Sequence, residues 1–154
     1  MVWKPDVTVA AIAERDGRFL FVEEQTERGL LFNQPAGHLE NDESIVAAVA
    51  RETLEETAWE FFPEHLVGVY RWCPSGSEVT YLRFAFSGRL GRHFADRALD
   101  TGIVRVAWLS PEEIRAGHHR HRSPLVVRCM EDYLAGARAP LGLLVDYDRT
   151  GIAT

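Results

Sequence analysis

Only two cysteines, Cys73 and Cys129, occur in the chain, far apart and outside any CxxC or Cys/His metal spacing. That excludes a disulfide framework and a zinc site, and leaves buried or free thiols suited to a reducing compartment. No run approaches the roughly 18 apolar residues that cross a membrane. The opening Met1-Val2-Trp3-Lys4-Pro5-Asp6 lacks the charged, apolar and small-residue order of a signal peptide, so the expected address is cytoplasmic. Positive charge is not in excess: 17 Lys and Arg stand against 23 Asp and Glu, a net −6. Such a balance offers no counterion-release footprint for a nucleic acid polymer. It still permits a small phosphorylated substrate, provided divalent cations stand between protein carboxylates and phosphate oxygens. Internal repeats, linkers and low-complexity segments are also missing, and residues 1–154 read as one domain.

What is present is a mixture of strands and helices without βαβ repetition. Val7 to Ala13 and Phe19 to Val22 flank an Asp16-Gly17 turn signal, which predicts an opening hairpin. Gly29 to Asn33 reads as a connection, and Gln34-Pro35-Ala36-Gly37-His38 as a shaped loop. Asn41 and Asp42 offer N-cap chemistry, with Glu43 in the first turn of a helix running from about Asp42 to Thr57. Val46, Val49, Ala50, Thr53 and Thr57 recur there at helical spacing. Leu66 to Trp72, Val79 to Phe86 and Ile103 to Leu109 read as strands. Ser110-Pro111-Glu112-Glu113 and Ser123-Pro124 open two further helices. The expected class is α/β, a mixed sheet covered by helices on both faces.

The central helix carries the chemistry. Glu52, Glu55 and Glu56, spaced i, i+3 and i, i+4, fall within roughly a 100° arc of one face. A solvated acidic face is the plain alternative. It fits poorly, because like charges at these spacings repel and the last turn of a helix disfavours anions. A cation held there removes the conflict, and Mg²⁺, with Mn²⁺ as an alternative, suits oxygen ligands shared with substrate phosphates.

From Gly37 the chain reads Gly37, five residues, Glu43, seven residues, then Arg51-Glu52-Thr53-Leu54-Glu55-Glu56. This resembles the signature box of the Nudix hydrolases, with six fixed positions matched; a chance match is on the order of 10⁻⁷ per starting position. Thr53, Ala58 and Trp59 depart from the pattern at an aliphatic, a glycine and an aliphatic position. Ala in a left-handed helix exit costs about 1 kcal/mol, which predicts a shifted or strained turn near Ala58.

The resemblance implies a Nudix-type α/β/α sandwich and Mg²⁺-dependent cleavage of a diphosphate linkage. Glu52, Glu55 and Glu56 would hold the metal with the Ala36 or Gly37 carbonyl, while Arg51 and Glu43 support the loop and helix. The water-activating base is left among Glu52, Asp100 and Glu112, with Asp100 also the nearest acid for a further ligand. Lys4 to Ala10, Asn33 to Glu40, Leu82-Arg83-Phe84 and Arg122 to Val126 look like the NudJ-type phosphatases within the family. That likeness implies release of inorganic phosphate from nucleoside di- and triphosphates or from hydroxymethylpyrimidine or thiamine diphosphate. Two other readings stand beside it: an ADP-ribose-type pyrophosphohydrolase, and a non-catalytic nucleotide-binding module.

Outside the box each candidate has two readings. Arg83 reaches a phosphate or pairs with a carboxylate. Phe32 and Trp72 stack on a substrate ring or belong to the core. The run His118-His119-Arg120-His121-Arg122 guides phosphate, with Arg122 as its candidate contact, or is a solvated basic loop. His38 donates near the site or shapes its loop. The oligomeric state, monomer or homodimer, is not fixed.

Overall fold

The computed structural model describes residues 1–154. The β-branched and alanine-rich segment DVTVAAI forms β1 (Asp6–Ile12), and Thr8 to Ile12 are all buried because both faces of this strand are covered. At Asp16 and Gly17 the chain takes φ of 52° and 74°, the two left-handed residues of a tight hairpin turn. That hairpin joins β2 (Glu14–Arg15) to β3 (Arg18–Thr26), not β1 to β3 as the sequence suggests. The chain passes from one sheet to another around Ala13, so β1 is free to pair elsewhere.

Two further expectations change. Residues 29–33 are a strand, β4 (Gly29–Asn33), since the Leu30-Leu31-Phe32 run pairs antiparallel with β3. Residues 36–38 form the short β5 (Ala36–His38), held against β1 in the register Val9 to Gly37. α1 spans Ile45–Thr57, and its N-cap is Ser44, whose Oγ accepts from Ala47 N at 3.0 Å. Asn41 and Asp42 lie in the preceding turn, Asp42 at φ 68°, and Glu43 precedes the helix. The helix ends on schedule: Ala58 itself adopts the left-handed conformation at φ 61°, and its N–H donates to Leu54 O at 2.9 Å. The strain is taken by alanine without moving the exit.

β6 (Trp59–Trp72) and β7 (Tyr81–His93) are longer than their apolar runs, because register shifts along β6 accommodate Pro63. β8 (Ile103–Leu109) pairs with β3. α2 (Pro111–Ala116) starts with a capping box between Ser110 and Glu113, followed by α3 (Leu125–Leu134) and the short β9 (Ala139–Pro140).

The expected mixed sheet is present, and a second, antiparallel sheet stands beside it. The first has the order β5-β1-β7-β6-β9, with β1 and β7 parallel and the other pairs antiparallel. The second is built on β3, flanked by β4 and β8 and extended by β2. α1 seals one core through Ala48 and Val49 against Val9, Leu20, Phe61 and Phe86. α2 and α3 seal the other through Ile114, Val126, Cys129 and Met130 against Phe19, Phe21 and Ala85. Helices therefore cover both sides of the β-structure, the α/β/α arrangement. No helix is long and apolar enough to cross a membrane.

Candidate active site

The buried face of α1 fixes the exposed one. Thr53 and Thr57, placed where leucine-like residues would pack, are buried and donate their hydroxyls to Val49 O and Thr53 O at 2.7 and 2.6 Å. With their polar atoms satisfied inside the helix, they anchor it on the sheet. Arg51, Glu52, Glu55 and Glu56 are thereby presented along one side.

Arg51 is the hub. Its Nε and Nη2 donate to the two Glu43 oxygens at 2.9 and 2.8 Å, its Nη1 to Glu52 and Glu55 at 3.0 Å each, and its Nη2 also to His38 O at 3.0 Å. Glu40 approaches the same guanidinium at 3.5 Å. One cation thus serves four carboxylates. Arg51 holds the Glu43 carboxyl below the usual range, helped by the Glu40 N–H. Arg51 is both a buttress for the residue 38–43 loop and a clamp on two of the candidate ligands.

Carboxylate oxygens of Glu52, Glu55 and Asp100 all lie within 4.8 Å of one another. Asp100 is tied to the helix by its own N–H, which donates to Glu55 O at 2.9 Å. Glu56 is more deeply buried, 8% exposed, and its Oε1 accepts from Ala36 N at 2.7 Å. Burial pushes the Glu56 carboxyl up to about 9, the Ala36 N–H opposing and Glu24, Glu52 and Asp100 adding to the rise. Burial also raises Glu52, Arg51 opposing and Glu55 and Asp100 adding. Oxygen donors this crowded, with carboxyls driven toward their neutral form, fit a divalent cation, which would replace the proton and relieve the repulsion. Gly37 leaves room for them: a Cβ there would lie 2.1 Å from Glu52 Cδ.

Glu52 and Glu56 face a cleft of about 1260 Å³ that Gly37, Trp72, Arg83 and Arg122 also line. The sequence candidates therefore separate. Arg83 and Trp72 reach the cleft, and Trp72 stacks on Tyr81 at 5.8 Å between ring centroids. Arg83 pairs with no carboxylate; its Nη1 and Nη2 donate to Gln34 Oε1 and Asn33 Oδ1 at 3.1 and 3.2 Å. Phe32 lies in the core, covered by the guanidinium groups of Arg120 and Arg105 at 4.9 and 5.5 Å, and does not line the cleft. Glu112 stands at the start of α2 beside Arg115, 3.9 Å away, and joins neither cleft nor acid cluster. His38 lines the cleft, with its ring 3.4 Å from Asp6.

Arg122 lies 3.8 Å from Glu24 and also lines a second cavity of about 570 Å³ with His118, His119 and His121. The basic run is not simply a solvated loop: residues 118–120 form a 3₁₀ turn and His121 is 6% exposed. Sequence reasoning missed Glu24, which lines the cleft and acts on Glu56, and Asn33 and Gln34, which hold Arg83. Glu24 sits in a strand with no motif around it, and no signal would have singled it out.

Comparison with known proteins agrees with this geometry. Residues 3–129 match the NUDIX domain model. Phosphatase NudJ of Escherichia coli K12 is 39% identical over 147 residues, covering 96% of this chain and 95% of that protein. A solved NUDIX hydrolase from Nitrosomonas europaea superposes with a TM-score of 0.92 at 54% identity, covering 95% of this chain and 99% of that one. An ADP-ribose pyrophosphatase from Streptococcus suis 89-1591, at 18% identity and a TM-score of 0.63, covering 84% of this chain and 92% of that one, shares the fold. The box helix at the edge of the cleft, the domain match and the end-to-end relatives lead to one assignment: the chain belongs to the Nudix family and is a hydrolase.

Proposed function

We propose that the protein uses Mg²⁺, or Mn²⁺ in its place, to hydrolyse a diphosphate linkage in a small phosphorylated molecule and to release inorganic phosphate. The substrates would be nucleoside di- and triphosphates, or hydroxymethylpyrimidine or thiamine diphosphate. The observation that carries this reading is the convergence of Glu52, Glu55 and Asp100, with Glu52 and the buried Glu56 both lining the cleft. Likeness to Phosphatase NudJ over nearly the whole chain supports the phosphatase outcome. The enzyme is read as cytoplasmic, acting as a monomer or homodimer on neither membrane nor nucleic acid polymer.

Glu52, Glu55 and Glu56 would hold the cation, with Asp100 completing the acidic set. When bound, a divalent ion supplies charge neutralisation on phosphate oxygens and a more acidic water. The remaining work belongs to the chain. Arg51 fixes Glu52 and Glu55 against their mutual repulsion, and Glu43 fixes Arg51. The Ala36 N–H orients Glu56, and Glu52 is the first candidate to take the proton of the attacking water, ahead of Asp100. Displacement at phosphorus gains mostly from such positioning and charge.

The test is a panel of phosphorylated substrates with quantified products, in Mg²⁺ and in EDTA. Inorganic phosphate from thiamine-type and nucleoside diphosphates, abolished by chelation, is the expected result. Paired monophosphates from ADP-ribose would favour the pyrophosphohydrolase reading. A silent panel with nucleotide-induced thermal stabilisation would favour a binding module.

A further inference from the structure

Arg83 is a buried guanidinium in the cleft wall whose charge no carboxylate answers. It is 6% exposed, lines the cleft, and has no Asp or Glu oxygen within ion-pair distance, although the protein carries an excess of acids. Its two hydrogen-bond partners, Gln34 and Asn33, are neutral amides, themselves buried. Gln34 is in turn fixed by donating from Nε2 to Val126 O at 2.8 Å. A buried cation without a counter-ion is costly, and neutral amides orient it without cancelling its charge. Two of the five guanidinium N–H groups are used in this way, which leaves others for a ligand that brings the missing charge.

The neighbours indicate which part of a ligand arrives there. On β7, Tyr81 and Arg83 are two residues apart and therefore on one face, about 7 Å along the strand. Opposite them on β6 stand Trp72 and Tyr70. Tyr81 and Trp72, stacked on each other, line the same cleft as Arg83. An aromatic wall and an unneutralised guanidinium thus adjoin in the cleft that Glu52 and Glu56 also line.

Resting on the diphosphate-hydrolase reading above, we propose that Arg83 is a metal-independent phosphate subsite whose guanidinium fork takes the phosphoryl group that stays on the organic, ring-bearing fragment. The diphosphate would then span the cleft, with the organic phosphate at Arg83 and the departing phosphate at the carboxylates. Arg83 would act as a substrate-positioning and specificity residue, favouring substrates with a ring close to the first phosphate.

The experiment measures binding without turnover. Uridine monophosphate and inorganic phosphate are titrated into the metal-free protein in EDTA by calorimetry, with tryptophan fluorescence recorded in parallel. Both are expected to bind, the nucleotide more tightly and with a change in fluorescence, and Arg83→Gln should weaken both by at least about tenfold. Glu52→Gln should leave binding unchanged or tighter, since it removes an anion. Absence of binding without metal, a twofold or smaller effect of Arg83→Gln, or an equal loss in Glu52→Gln would each overturn the subsite. If Arg83→Gln does not fold, Arg83→Lys keeps the charge and loses the fork: weaker binding supports the subsite, and wild-type affinity overturns it. Metal-free binding in a protein that hydrolyses no diphosphate would sink the proposed activity alone, whereas hydrolysis without such binding would sink the subsite alone.

Discussion

Gly37 and Glu52 are so close that a β-carbon on residue 37 would sit 2.1 Å from the Glu52 carboxyl carbon. The obstructing atoms are the far end of a side chain, so Gly37→Ala can be accommodated by swinging the carboxylate away. The variant should keep a melting temperature within a few degrees of wild type, since the backbone at residue 37 does not need a left-handed conformation. Its Mg²⁺-dependent phosphate release should nevertheless fall by about 100-fold, equivalent to about 2.7 kcal/mol of transition-state stabilisation. Thermal melting and steady-state rates together check this, and full activity would show that Glu52 need not occupy its present place.

Glu56 makes a prediction with a pH sign. Its folded carboxyl titrates near 9, well above the ordinary 4.5. Between those values the metal-free folded chain binds more protons than the unfolded chain, so this group's contribution to stability is lost as pH rises through that window. Glu56→Gln imitates the neutral carboxyl and keeps an acceptor for the Ala36 N–H. In EDTA at pH 8 it should melt roughly 4 °C or more above wild type, while phosphate release in Mg²⁺ collapses. A variant that is less stable than wild type at pH 8 would show that the carboxylate is not strained there.

Asp100 and Glu112 are both candidates for the water-activating base, with Asp100 alone also a candidate ligand, and only Asp100 joins the acid cluster. Asp100→Asn should weaken divalent-cation binding by about tenfold, an effect of roughly 1.4 kcal/mol, and Glu112→Gln should leave it unchanged. Mn²⁺ titration followed by relaxation or calorimetry reads both directly. An equal response of the two variants would remove Asp100 from the site.

His121 pulls in the opposite direction from Glu56. Burial, with His118 and His119 adding, holds its imidazole down near 4 from 6.5, and its Nδ1 has no hydrogen-bond partner. The unfolded chain therefore takes up a proton between pH 6.5 and 4 that the folded chain refuses, and stability falls as the pH is lowered through that range. Urea denaturation at pH 7 and pH 4.5 should show a smaller acid loss in His121→Gln than in wild type. The same acid loss in both would assign it elsewhere.

The helix of carboxylates, the capping box at Ser110 and the strand at 103–109 were legible because each has a local pattern that tertiary contacts reinforce. The helix start was not, because Asn41, Asp42 and Ser44 all offer capping chemistry and only the backbone decides that Ser44 uses it. Gly29 and Asn33 disguised β4 as a connection, and Pro63 hid the first half of β6, whose irregular pairing leaves room for it. Alternation of apolar residues says which residues are buried but not which strand lies alongside, so the mixed sheet is foreseen while the parting of β1 from β3 into a second, antiparallel sheet is not. For the site, the box placed the glutamates. Whether Arg83 met a carboxylate or Phe32 met the core depended on neighbours far away in the chain.

The two helix carboxyls driven toward their neutral form, Glu52 and Glu56, have a consequence for how the protein would change over generations. Each is unfavourable to the metal-free fold as an anion, so a substitution that neutralises either would make the chain easier to fold and harder to melt. Stability alone therefore pushes this helix toward losing its acids, and a screen for heat-resistant variants without metal would be expected to collect damaged active sites first. Their joint survival in one chain marks the helix as kept for its chemistry.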